Sequence, residues 1–179
     1  FFNFRSPYCY LISKSLFHLV EDFHVRFDWR PLGGWDGRSD AERAKKKLPL
    51  ARQDVARWCK RMGIPMNPPP ITTDPTRVAC GSLYAKEQGC LPLYVLEAMR
   101  LEWADGEDIG QTESIQKLAT RCNLDADSLL AACDAPDNLA ALKDNAAKAD
   151  EMNVIGVPSL VIEDQIYCGN DRLDFVREE

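Results

Sequence analysis

The sequence has no Cys-x-x-Cys pair and only two histidines, although its 179 residues include seven cysteines, at positions 9, 59, 80, 90, 122, 133 and 168. These absences exclude the usual zinc-ligand spacings, and an odd, scattered set of thiols excludes a disulfide framework. Cys59 lies on an apolar stripe between Val55 and Met62, where a free thiol behaves as a small buried hydrophobe, so a reducing, cytoplasmic compartment is expected. Walker loops, Gly-x-Gly-x-x-Gly, Gly-x-Ser-x-Gly and His-Glu-x-x-His are missing, which removes the commonest nucleotide, hydrolase and metalloprotease signals. No uncharged apolar run approaches the roughly 18 residues of a membrane helix, and the opening residues lack the basic start and apolar core of a signal peptide. Basic charge is not in surplus either. Lys and Arg number 22 against 28 Asp and Glu, a net charge of −6, so neither nucleic acid nor an anionic membrane is an expected partner. With 45% hydrophobic and 28% charged residues, the chain can bury one substantial core. It opens at Phe1 inside a strand-like run, so its start is expected upstream, and a removed targeting segment stays open.

Residues 1–4 form a short aromatic run, Ser6-Pro7 punctuates it, and from Tyr8 the apolar residues Leu11, Ile12, Leu16, Leu19 and Val20 follow helical spacing. Ser6 suits an N-cap, with Pro7 at the first helical position, where its missing N–H costs nothing. Residues 25–30 alternate Val25, Phe27 and Trp29 with polar positions, which predicts a half-buried strand ending at Pro31. A right-handed β-α-β unit of this kind brings the Ser6-Pro7 turn to the carboxyl end of the first strand, where open α/β sheets keep their sites.

From residue 40 to 150 strand signals vanish. Helices are expected over 50–62, after Asp74-Pro75, and over 92–103, 112–121, 125–133 and 137–150. Residues 159–163 and 165–168 predict a hairpin, and Asn170-Asp171 the start of a last helix. The fold class is therefore α/β: a thioredoxin-like fold, βαβ…ββα, contributed by residues 1–39 and 151–179, with residues 40–150 as a large all-helical insertion.

Both places where that fold builds a site are marked here. The turn before the first helix reads Ser6-Pro7-Tyr8-Cys9, a hydroxyl where a dithiol enzyme has its nucleophilic cysteine, and Gly156-Val157-Pro158 precedes the third strand where a cis proline is expected. Together with Phe-x-Phe-x-Ser-Pro-Tyr, Trp29-Arg30-Pro31, and Gly169-Asn-Asp-Arg-Leu173, these stretches resemble the 2-hydroxychromene-2-carboxylate isomerase family, related to kappa-class glutathione transferases and to DsbA oxidoreductases. The likeness spans nearly the whole chain, more weakly through Lys47, Arg52-Gln-Asp54 and the run from Trp58 to Pro65.

The resemblance implies glutathione as cofactor, a small aromatic ketoacid-type substrate and a homodimer. It casts Ser6 as the hydroxyl that stabilises and aims the glutathione thiolate, a role for which a donor at a helix N-terminus is physically suited. Val157 and Pro158 would present backbone groups to the cysteinyl part, Asn170 and Asp171 would hold the γ-glutamyl end, and Lys47 would meet a glutathione carboxylate. Their ordinary alternatives are a helix cap, a turn before a strand, a second cap and a solvated lysine run. The sequence departs from the pattern at Cys9, where the family commonly has a hydroxyl. It also shows no counterpart, between Gly33 and Ala44, of the asparagine that kappa-class relatives carry after the second strand, and Trp35 is a candidate for the aromatic pocket. Rival expectations are a kappa-like transferase or peroxidase, a thiol-disulfide enzyme using Cys9 alone, and a non-catalytic thioredoxin-like binding module.

Overall fold

In the computed structural model, which describes residues 1–34 and 41–179, the first few residues sit between two partners. Phe2 forms a parallel bridge with Pro31, its N–H reaching Arg30 O at 3.1 Å and its carbonyl accepting from Leu32 N at 2.8 Å. On the other side Phe1 and Ser159 exchange backbone hydrogen bonds of 2.7 and 3.0 Å. The opening and closing segments of the chain thus meet along one edge. Among the described residues regular strand is confined to β1 (Ser159–Ile162) and β2 (Gln165–Cys168), an antiparallel hairpin in the predicted place, turned through Glu163 at a φ of 54°.

The strands expected over 1–4 and 25–30 therefore shrink to a single bridge. Residues 25–30 are extended, but only their last residue and Leu32 reach Phe2, and Val25, expected to face inward, is half exposed. Without a full partner the alternating pattern has no ladder to join. The predicted first helix is also interrupted. α1 (Pro7–Ile12) ends where the Ser13 hydroxyl turns back on Tyr10 O at 2.7 Å, and α2 (His18–Asp22) restarts after a turn. Leu16 and Leu19 still reach the core, whereas Val20 is left half exposed.

α3 (Ala41–Met62) begins earlier than predicted and runs through Pro49, whose missing donor removes one hydrogen bond without stopping the helix. Val55 and Cys59 are buried, but Met62, expected on the same buried stripe, is 38% exposed. The helix α4 (Thr76–Glu87) starts after Asp74-Pro75 as predicted, and α5 (Leu91–Trp103), α6 (Thr112–Cys122), α7 (Ala126–Cys133) and α8 (Pro136–Glu151) lie within two residues of their predicted bounds. Local chemistry explains why: Asp74 Oδ1 accepts from Thr76 N at 2.9 Å, Asp125 Oδ1 accepts from Ser128 N at 2.8 Å, and Asn123 closes α6 in the left-handed region. A short 3₁₀ turn (Asn170–Arg172) leads into α9 (Leu173–Glu178).

The core is continuous from Phe2 to Val176. At its centre Phe2 packs edge-on to Phe4, and Phe4 edge-on to Tyr94 of α5. Buried polar groups are matched across elements. Trp29 Nε1 donates to Ser82 Oγ at 2.9 Å, Asn145 Nδ2 to Pro31 O at 3.0 Å, and Trp103 Nε1 to Phe4 O at 3.1 Å. These bonds lock the two extended segments onto α4, α8 and α5, and so fix the turn that carries Ser6.

Candidate active site at the start of the first helix

Ser6 caps α1 as its sequence predicts. Its backbone is extended, its Oγ accepts from Cys9 N at 3.4 Å, and Pro7 occupies the first helical turn. The same hydroxyl donates to the carbonyl of Val157 at 3.2 Å, across 151 positions of sequence. The Val157–Pro158 peptide is cis, as expected, and Gly169 N donates to Pro158 O at 2.9 Å. Ser6, Val157 and Pro158 are thus brought together, with Ser6 and Val157 partly open to solvent and Pro158 buried.

Asn170 and Asp171 form the 3₁₀ turn packed against α1. Gly169 makes that turn possible: its φ is 112°, and a Cβ there would come 2.7 Å from Asp171 Oδ1. Both residues line an open pocket of about 240 Å³, which also takes in Leu11, Ile12, Trp58 and Met62. Lys47 is exposed on α3, two turns before Asp54 on the same helical face, and among the described residues no hydrogen bond or ion pair joins it to Ser6, Val157 or Asp171. Trp35 and the loop sought for a counterpart of the kappa-class asparagine include residues 35–40, which lie outside the described residues.

Cys9 is fully buried, and burial pushes its thiol up to about 12, against the lowering influence of Asn3 and Ser6. Such a thiol is not a nucleophile at neutral pH. All seven cysteines are free, only Cys168 is exposed, and no group of residues able to hold a metal ion occurs among the described residues.

Two side chains at the site were quoted in the motifs without a role. Tyr8 Oη donates to Asp54 Oδ2 at 3.0 Å, tying α1 to α3, and its phenol is pushed up to about 12, first by burial and then by that carboxylate. The neighbouring Arg5 lies over the Trp103 ring at 5.5 Å, donates to Pro70 O at 3.2 Å, and stands 3.7 Å from Glu102, a carboxyl that burial holds well above the usual range. The Ser-Pro-Tyr and Arg-Gln-Asp stretches were visible in sequence; their meeting across the fold was not. The arrangement offers a hydroxyl donor and a backbone carbonyl facing each other, while Asn170 and Asp171 line a mixed apolar and acidic pocket whose walls include neither Ser6 nor Val157.

Comparison with known proteins agrees with this fold. The chain is 28% identical over 189 residues to 2-hydroxychromene-2-carboxylate isomerase from Sphingobium xenophagum, covering 98% of this chain and 93% of that protein. It is 25% identical over 182 residues to the enzyme of that name from Pseudomonas putida, covering 97% and 88%. A solved structure of 2-hydroxychromene-2-carboxylate isomerase superposes with a TM-score of 0.83 at 21% identity, over 99% of this chain and 90% of that one, which shows a shared fold. The model of the DsbA-like thioredoxin domain matches residues 1–179. By that match across its whole length, and by the juxtaposed Ser6 turn and Pro158 loop, the chain belongs to the DsbA-like thioredoxin family.

Proposed function

We propose that the protein is a glutathione-dependent isomerase acting on a small aromatic ketoacid of the 2-hydroxychromene-2-carboxylate type. The observation that carries this reading is the 3.2 Å approach of the Ser6 hydroxyl to the carbonyl before cis Pro158, in a chain whose curated relatives bear that enzyme's name. A glutathione sulfur seated at Ser6 takes the hydroxyl's hydrogen bond, which favours the thiolate and lowers the thiol's pKa. α1 has six residues, so its dipole is small, and the hydroxyl and nearby N–H groups are the main donors. Val157 supplies backbone partners for the cysteinyl part, as an added strand would. Asp171 pairs with the γ-glutamyl ammonium beside Asn170, and Lys47 takes a carboxylate.

The chemistry is reversible addition. The hemiketal ring opens, its hydroxyl proton passing to the phenol oxygen as the C2–O ring bond breaks, and the thiolate then forms a carbon–sulfur bond to the conjugated double bond of the resulting cis keto acid, whose electron pair moves onto the keto oxygen. Rotation about the resulting single bond follows, and collapse of the enolate expels the thiolate unchanged. No oxidant or reductant is consumed. Seven free cysteines fit a reducing, cytoplasmic setting, and among the described residues no helix is long and apolar enough to cross a membrane. A transferase or peroxidase would use the same thiolate but release a conjugate or oxidised glutathione, so product analysis separates it. The buried Cys9 gives no support to a thiol-disulfide enzyme working through that residue.

The test is calorimetric titration with glutathione, following thiolate absorbance at neutral pH, on the native protein and on Ser6→Ala. A thiolate signal that disappears in the variant, followed by turnover of chromene carboxylates, is the expected result. Absence of binding at millimolar glutathione would sink the isomerase and transferase readings together and leave a binding module.

A further inference from the structure

Asn3 is a polar side chain inside the aromatic cluster, 5% exposed between Phe2 and Phe4. Its hydrogen bonds account for that position. Oδ1 accepts from Arg5 N at 2.8 Å and the Asn3 carbonyl accepts from Ser6 N at 3.0 Å, so the residue closes the turn that delivers Ser6 to α1. Nδ2 donates to Gly34 O at 3.2 Å, beyond the second extended segment. Gly34 N in turn donates to Thr76 Oγ1 at 2.9 Å, at the start of α4. Only an amide serves both sides: a carboxylate has no donor for Gly34, and a lysine has no acceptor for Arg5.

We propose that Asn3 is the positioning residue of the Ser6 turn, holding the hydroxyl at its working place by bridging Arg5 N and Gly34 O. The proposal rests on the reading of Ser6 as the group that activates a glutathione thiolate. Asn3 does not touch the ligand. It sets where the Ser6 hydroxyl points, and therefore how strongly a bound thiolate is stabilised.

Two measurements on Asn3→Ala, Asn3→Ser and native protein test this. Amide hydrogen exchange reads the tether itself, and a pH titration of bound glutathione by thiolate absorbance reads its effect. In Asn3→Ala the Arg5 amide loses its side-chain acceptor, so the amides of Arg5 and the adjoining Ser6 are expected to lose protection together while α6 keeps its own, and the bound thiol's pKa is expected to rise by about one unit, a tenfold change in the thiolate ratio. Asn3→Ser keeps a short acceptor for Arg5 N but cannot span to Gly34 O, so it should retain protection at Arg5 and Ser6 and raise the thiol pKa by less than Asn3→Ala does, whereas a native thiol pKa in this variant would show that the Gly34 half of the bridge is not needed. The serine variant also serves if the alanine variant does not fold. Leu118→Ala, in the buried face of α6, is the control for lost stability alone and should leave the thiol pKa unmoved. Native-like exchange at Arg5 and Ser6 in Asn3→Ala would overturn the tether. Faster exchange with an unchanged thiol pKa in Asn3→Ala would overturn the positioning role. A native protein that binds glutathione without a thiolate signal would refute the Ser6 reading and the positioning role with it, while exchange still reports whether the tether exists.

Discussion

Ser6 and Cys9 lie one turn apart and have opposite fates. The hydroxyl belongs to a partly exposed residue and is paired with Val157, whereas the thiol is fully buried and pushed up to about 12. Cys9→Ala is accordingly expected to leave glutathione binding and turnover near native, and loss of activity without unfolding would overturn that assignment. Ser6→Ala removes both cap and donor. It should cost about 1 kcal/mol of stability as a cap change, measured by denaturant unfolding, while abolishing the thiolate signal. A stability loss alone would mean that Ser6 only caps. With a thiol-specific reagent on the folded protein, Cys168 should react first, since it is the one exposed thiol. The cap was legible because Ser6-Pro7 is a local pattern. The Tyr8–Asp54 bond was not, because its partners are 46 positions apart and either residue alone suits a surface.

Helices could be placed from sequence more faithfully than strands, and the reason is local. α6 and α7 carry their own stop and start in Asn123 and Asp125, and their hydrogen bonds close within each helix. A strand needs a partner. The segment 25–30 has the right alternation, yet its ladder is limited to the contacts around Phe2. Close approach between helices shows the same dependence on neighbours. A Cβ at Gly81 of α4 would lie 2.5 Å from Tyr94 Oη and 2.8 Å from Cys133 Sγ, so this glycine lets α4, α5 and α7 meet. Gly81→Ala should cost roughly 1–3 kcal/mol through overpacking, despite alanine's better helix propensity. An unchanged or raised denaturation midpoint would show that the three helices have room to shift.

Across the whole molecule, burial has set many weak acids against ionisation. The thiols of Cys9, Cys122 and Cys133 and the phenols of Tyr8 and Tyr10 are each pushed up to about 12 from ordinary values of 9.0 and 10.0, chiefly by burial. The unfolded chain therefore releases these protons first. Stability from this source is complete below pH 9.0 and is lost progressively as pH rises toward about 12. A melting-temperature series should fall across that window, and a flat profile would contradict the burial of these groups. Glutathione should raise the melting temperature in a concentration-dependent way in native protein and much less in Ser6→Ala, because a ligand that binds only the folded state stabilises by mass action.

The sequence by itself determined the bounds of α5 to α8, the Ser6 cap, the hairpin, the Ser6 and Pro158 landmarks and the exclusion of a dithiol cycle, since each depends on residues close together in the chain. Only the tertiary structure decided that Ser6 meets Val157, that Cys9 is sealed in the core, that Asn3 joins the Ser6 turn to Gly34, and that Lys47 is exposed on α3. Those outcomes depend on how distant segments pack. A serine, an asparagine or a lysine carries the same donors wherever it stands, and its surroundings decide which partner it finds and whether water can reach it.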